Sequence, residues 1–298
     1  MRLPLPVATL LVLPLFTSAY KVPEPLADFY DLVKNGGCTS FYRGRSDLSD
    51  GQGNWGYGFC DDTPGAIYVS GEKHLADMDI DCDGAANCGS LKKNSDFQPE
   101  TAFDDTLAEL GYAIPGKSLN ASVIPYAVLG TCDVPVAKNK KEKGPVPELG
   151  VVAVVCGDKL RYAVFGDTNG CDDDNFTGEA SIALARMCFP DEGLDGDNGH
   201  TDHDVLYLAF TSEKAVPGPS GAKWDAKTPE EFEASIKDLG DELLEELFKD
   251  TEGRTKVGEV GDYGADKKKK GAAQRIWPEK QTVLGGAAAV VALAGLLV

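Results

Sequence analysis

One segment, GDTNGCDDDNFTGEAS (166–181), begins and ends near a carboxylate. Asp167 follows one apolar run and Glu179 precedes another, so the loop between them can present both acids to one cleft. Cleaving a glycosidic bond needs such a pair: one carboxyl protonates the departing oxygen, and the other carboxylate activates water or attacks the sugar. Neighbouring acids raise a carboxyl's pKa, which general acid catalysis at mild pH requires. Here the neighbours are dense. Residues 158–204 hold 12 acidic side chains against three basic ones, Lys159, Arg161 and Arg186. By spacing alone, Asp167 and Glu179 are one pair among many.

Other constellations compete. DIDCDG (79–84) opens like an EF-hand loop, but the twelfth position of that loop must be a bidentate acid, and here it is Ser90. A cysteine inside the motif and the absence of flanking helical patterns also speak against it. As an extended strand, the segment turns Asp79, Asp81 and Asp83 to one side, forming a surface for a cationic ligand. GHTDHD gathers His200, Asp202, His203 and Asp204, which together offer imidazoles and carboxylates to a metal. The plainer reading is a hydrogen-bonded loop entering a strand, and no metal or cofactor is expected. GPSG around Ser220 lacks the spacing of a nucleophile elbow.

The ends place these groups outside the cell. MRLPLPVATLLVLPLFTSAY has Arg2, an apolar run and small residues, so 1–19 reads as a signal peptide cut after Ala19. Residues 271–298 carry small residues, a polar spacer and an apolar tail, the parts of a lipid-anchor (GPI) signal whose tail is removed. A retained tail anchor is the alternative. The body is expected over 20–218, and 219–270 reads as an acidic helix followed by a Lys/Gly-rich stalk. The net charge of −19 repels nucleic acid and attracts cations. Lys267–Lys270 therefore reads as solvated stalk. Eight cysteines in a secreted chain predict up to four disulfides, which rules out a thiol nucleophile. Cys82 and Cys88 can close a small loop of their own, and the rest of the pairing stays open. Asn120 and Asn175 head glycosylation sequons.

The elements that must position the acids read as mainly β. Strands are predicted over 66–70, 122–129, 151–155, 160–165 and 205–210, each rich in Val, Ile, Tyr or Leu. CGDK between the third and fourth predicts a hairpin. Helical spacing is read over 23–35, 102–110 and 179–186. Thr228-Pro229-Glu230-Glu231 is a capping box that starts a charged helix to about Phe248, read as appended to the body. The stretch before residue 66 is rich in Gly and Asp and reads as loops.

DMDIDCDG (77–84), TAFDDT (101–106), IPYAVLG (124–130), GVVAVVCGDKLRYAVFGDTNG (150–170), GEAS (178–181), GDNGHTDHDVLYLAF (196–210) and AVPG (215–218) occur in one order. Together they resemble the fungal endo-chitosanases of glycoside hydrolase family 75, over roughly residues 35 to 218. The resemblance implies that Asp167 and Glu179 are the essential carboxylates, with Glu179 as acid and Asp167 as base. It implies inverting endo-hydrolysis of β-1,4 linkages between glucosamine units. It also implies a small disulfide-stapled β-barrel, double-psi-like, with a few helices and the appended C-terminal helix. The partner is then chitosan, a polycation, met by Asp79, Asp81, Asp83, Thr168, Asp202 and His203. Asp172–Asp174 would add contacts, and Trp55 and Tyr57 read either as sugar-stacking or as core. The expected protein is a monomer that binds no nucleic acid and meets membrane only through its anchor. Three readings stay open beside this one: a catalytically inactive wall-polysaccharide-binding relative, a metal-dependent hydrolase using His200 and His203, and a broader glucanase.

Overall fold

The computed structural model describes residues 19–85, 88, 98–130, 144–169 and 176–249. The signal peptide, Cys132, Cys171, Asp172–Asp174, the Asn175 sequon, the stalk beyond residue 249 and the anchor signal lie outside the described residues. Strands are β1 (Tyr20–Lys21), β2 (Leu48–Ser49), β3 (Trp55–Cys60), β4 (Ala66–Ser70), β5 (Ala76–Asp81), β6 (Tyr126–Val128), β7 (Val151–Cys156), β8 (Lys159–Asp167), β9 (Glu179–Ser181) and β10 (His200–Phe210). Helices are α1 (Glu24–Lys34), α2 (Asp104–Glu109), α3 (Ile182–Cys188) and α4 (Pro229–Phe248). Among the described residues, no helix is long and apolar enough to cross a membrane.

Six strands close into a ring, in the order β8, β6, β9, β5, β10, β7 and back to β8. The hairpin around Gly157 joins β7 to β8, with Cys156 opposite Lys159 and a positive φ of 61° at Gly157. All six residues of β7 are buried, so its unbroken Val-rich run reflects a strand covered on both faces. Along one edge β10 borders β5 and then β4, beyond which β3 and β2 continue the sheet. Disulfides join Cys38 to Cys60, Cys82 to Cys88 and Cys156 to Cys188. The small loop between Cys82 and Cys88 is thus closed as the spacing predicted.

Three expectations change. Residues 179–186 are not one helix: Glu179, Ala180 and Ser181 form β9, and α3 starts only after Ser181, whose hydroxyl accepts the Leu184 N–H. The strand expected over 122–129 shrinks to β6, because Val123 and Ile124 turn back onto the Asn120 carbonyl before Pro125. The helix expected as an appendage is packed into the body. α4 buries Phe232, Ile236, Leu243 and Leu244 on one stripe, and Gly240 lies so close to the Tyr162 ring that a Cβ there would sit 2.4 Å from it. The stretch read as loops before residue 66 contains β3. Its glycines hid it, and Gly58 is required because a Cβ there would approach the Arg45 carbonyl oxygen to 2.3 Å.

Candidate active site

Four neighbouring strands of the ring place acids in one row. Asp167 on β8 is opposite Val128 on β6, Val128 is opposite Glu179 on β9, and Glu179 is opposite Asp79 on β5. Directly paired residues point to the same face of a sheet. Asp167 and Glu179 are two strand spacings apart, about 9–10 Å at the backbone. Along β5, Asp77, Asp79 and Asp81 also share that face, because side chains alternate. The short β9 is what brings Glu179 into the row, and Ser181 anchors it by accepting both the Leu184 and Tyr126 N–H groups.

Asp167 is buried, and its Oδ1 accepts two backbone N–H bonds, from Ala102 at 3.0 Å and Thr168 at 2.7 Å. Its Oδ2 is buried with no partner. Burial first, and then the Asp81 charge, push its pKa up to about 8, against the pull of the two N–H donors. Glu179 receives one side-chain bond, from the Asn169 amide at 2.6 Å. Burial and the charges of Asp81 and Asp79 hold it well above the usual carboxylate range. Burial likewise raises Asp81 to about 7, and Asp79 and Asp83 to about 6.

Asp81, Asp83 and Asp167 each bring an oxygen into a group in which these atoms lie within 4.8 Å of one another. A second such group is Asp50, Asp77 and His203, where His203 Nε2 is 3.0 Å from Asp50 Oδ2. The Gln52 amide donates to Asp77 at 2.8 Å, and Gly51 packs on the Asp79 carboxylate, so the loop after β2 lies against this end of the row. His200 is held instead between Glu192 and Asp204, both at 2.9 Å, and stacks on Phe189. The two histidines that a metal hydrolase would need therefore face different carboxylates.

Of the residues expected from sequence, Asp79, Asp81, Asp83, Asp167 and Glu179 come together. Thr168 contributes its N–H, and His203 lies beside Asp50 and Asp77. Asp202 is exposed on β10. Tyr57 is core, and Trp55 is 54% exposed. Sequence reasoning missed Asn169, Ala102, Gln52, Asp50 and Asp77. Asn169 and Ala102 stood inside quoted motifs, GDTNG and TAFDDT, and only the fold shows what they touch.

A family model described as "Fungal chitosanase of glycosyl hydrolase group 75" matches residues 78–246. An endo-chitosanase of Aspergillus fumigatus is 42% identical over 228 residues, covering 76% of this chain and 92% of the relative. An endo-chitosanase of Aspergillus oryzae is 40% identical over 241 residues, and endo-chitosanase B of the same species 41% over 234, with the same coverage.

Proposed function

Because the chain belongs to the fungal chitosanases of glycosyl hydrolase group 75, a family of glycoside hydrolases, we propose that it cleaves chitosan internally by an inverting mechanism outside the cell. Asp167 and Glu179 are the reacting pair. The observation that carries this reading is the shared row: two buried acids on one face, about 9–10 Å apart at the backbone. Inverting enzymes separate their carboxyl groups by roughly 6.5–9.5 Å to admit water.

The hydrogen bonds divide the roles. Asp167 takes two backbone N–H bonds on Oδ1, which favours its ionised form and fits the base, with Oδ2 left to receive the water proton. Glu179 has a single amide donor among acidic neighbours, which keeps it protonated and fits the acid. In the cycle, Glu179 gives its proton to the leaving oxygen while Asp167 takes one from the attacking water. The leaving sugar gains a hydroxyl, and the anomeric carbon gains an inverted one.

The strand ring is read as double-psi in type. Export is supported by the leader and the disulfides, and lipid anchoring rests on the C-terminal sequence. Digests of highly deacetylated chitosan, chitin and carboxymethylcellulose test the reading, with products read by mass spectrometry. Glucosamine oligomers are expected from chitosan alone. Asp167→Asn and Glu179→Gln should each lower kcat by about 10²–10⁴-fold in a folded protein. Near-normal turnover in either variant removes that residue from the mechanism.

A further inference from the structure

Each acid of the Asp81, Asp83 and Asp167 group spends Oδ1 on backbone N–H donors. Asp81 takes the Asp83 N–H at 2.6 Å, Asp83 takes the Gln98 N–H at 2.8 Å, and Asp167 takes Ala102 and Thr168. Oδ2 is in each case the oxygen with no backbone donor. In Asp167 it is also buried and wholly unpartnered. Among the described residues, no lysine or arginine pairs with any of the three. The other titratable groups facing them are Glu179 on β9, Asp79 on β5 and Tyr126 on β6. The Tyr126 hydroxyl is engaged by the Asp83 carbonyl at 3.1 Å.

A primary ammonium carries three N–H donors in tetrahedral array. At an ordinary N···O distance of about 2.8 Å it holds its acceptors about 4.6 Å apart. That matches acidic oxygens gathered within 4.8 Å. A calcium ion would need six to eight oxygens, more than three carboxylates supply without water.

We propose that Asp81 and Asp83, together with Asp167 Oδ2, form a socket for the 2-ammonium group of the sugar whose anomeric carbon is attacked. This rests on Asp167 as the base. The base stands beside that anomeric carbon, and C2 is bonded to it. The sugar that becomes the new reducing end must therefore be deacetylated. An acetamide in its place is uncharged and offers one N–H where three acceptors wait. In the empty cleft the acids share protons, as their raised pKa values indicate. On binding, the ammonium replaces a shared proton, which passes to solvent; no bond in the sugar changes.

Calorimetry on the Glu179→Gln protein, in phosphate and in Tris at pH 6.5, with the glucosamine hexamer, tests this. About one proton is expected to be released per hexamer bound. Adding Asp81→Asn should abolish that release and weaken binding about tenfold. In digests of partly acetylated chitosan, the wild type should leave glucosamine at new reducing ends, and Asp81→Asn should admit N-acetylglucosamine there. Asp83→Asn, at a partly exposed position, gives the same readouts if Asp81→Asn does not fold. Unchanged reducing ends with unchanged KM overturn the socket, as does calcium or manganese chloride binding tightly enough to exclude the hexamer. Loss of turnover in Asp167→Asn together with unchanged ends in Asp81→Asn removes the socket alone. Retained turnover in Asp167→Asn removes the base assignment beneath it.

Discussion

Glu233 and Asp167 are both buried acids, at 1% and 4% exposure, in opposite surroundings. Glu233, on α4, meets the Arg161 guanidinium at 3.3 Å and accepts the Tyr162 N–H at 3.1 Å. Arg161 also donates to the Met187 carbonyl at 2.8 Å, so one ion pair ties α4, β8 and α3 together. Asp167 has backbone donors and, around it, only further acids. The chain is therefore able to compensate a buried carboxylate, and in the cleft it does not. Stability explains the first arrangement. The second fits a site that awaits a cation or must hold protons. The sharpest way to break this contrast is Arg161→Met, which leaves Glu233 buried and alone. It should destabilise the protein by about 3–5 kcal/mol in urea unfolding, with turnover per folded molecule unchanged. Asp167→Asn removes an uncompensated charge and should leave the unfolding midpoint unchanged or higher while turnover is lost. Equal destabilisation by both variants would erase the distinction.

The same contrast sets the pH dependence. Burial and neighbouring acids raise Asp77 to about 8, Asp81 to about 7 and Asp79 to about 6 in the folded protein. An unfolded aspartate titrates near 3.9, so between roughly pH 4 and 8 the folded state binds more protons, and stability falls as pH rises. His200 adds to this trend, since its pKa is raised by Asp204 and Glu192 despite burial, and that contribution is also lost on raising the pH. Asp50 works oppositely: its hydrogen bonds lower it, and that stability is lost below pH 4. The thermal midpoint should therefore decline from pH 5 to pH 8. Each uncompensated acid adds a slope of at most about 1.4 kcal/mol per pH unit. Asp77→Asn should flatten the decline, and a midpoint that rises over this range contradicts the charge assignment.

Legibility from sequence divides along the same line. The paired and apolar frame was readable where periodicity was strong: α1, β4, the β7–β8 hairpin and the Thr228 capping box stand where their patterns placed them. β3 was not, because glycines at 56 and 58 remove the strand-forming side chains while leaving a backbone that pairs with β4. α4 was misjudged because its acidic surface outweighs its narrow apolar stripe, and Glu233 counts as polar although Arg161 takes it into the core. In the cleft, the acids that form the row were visible as motifs. Their register was not, since Asp167, Glu179 and Asp79 come from three separate strands. The partners that hold them, Ala102, Asn169 and the loop at Gln52, act through backbone groups or amides, which carry no signature in sequence.

The smallest expected effects separate the two regions by their helix caps. Thr228 Oγ1 accepts the Glu231 N–H at 3.2 Å and caps α4, far along the chain from the acidic row. Thr228→Ala should cost about 1 kcal/mol of stability and nothing in turnover. Ser181 Oγ makes the equivalent bond to Leu184 at 3.3 Å, but it also accepts the Tyr126 N–H at 3.0 Å. Ser181→Ala therefore removes a cap and leaves a buried backbone donor of β6 without an acceptor, about 2 kcal/mol in all. Because Ser181 ends the three-residue strand that begins at Glu179, the same change frees the acid's strand from β6. A fall of a few-fold in kcat with KM unchanged is expected for Ser181→Ala alone. Equal turnover in both cap variants would mean that β5 by itself holds Glu179 in register.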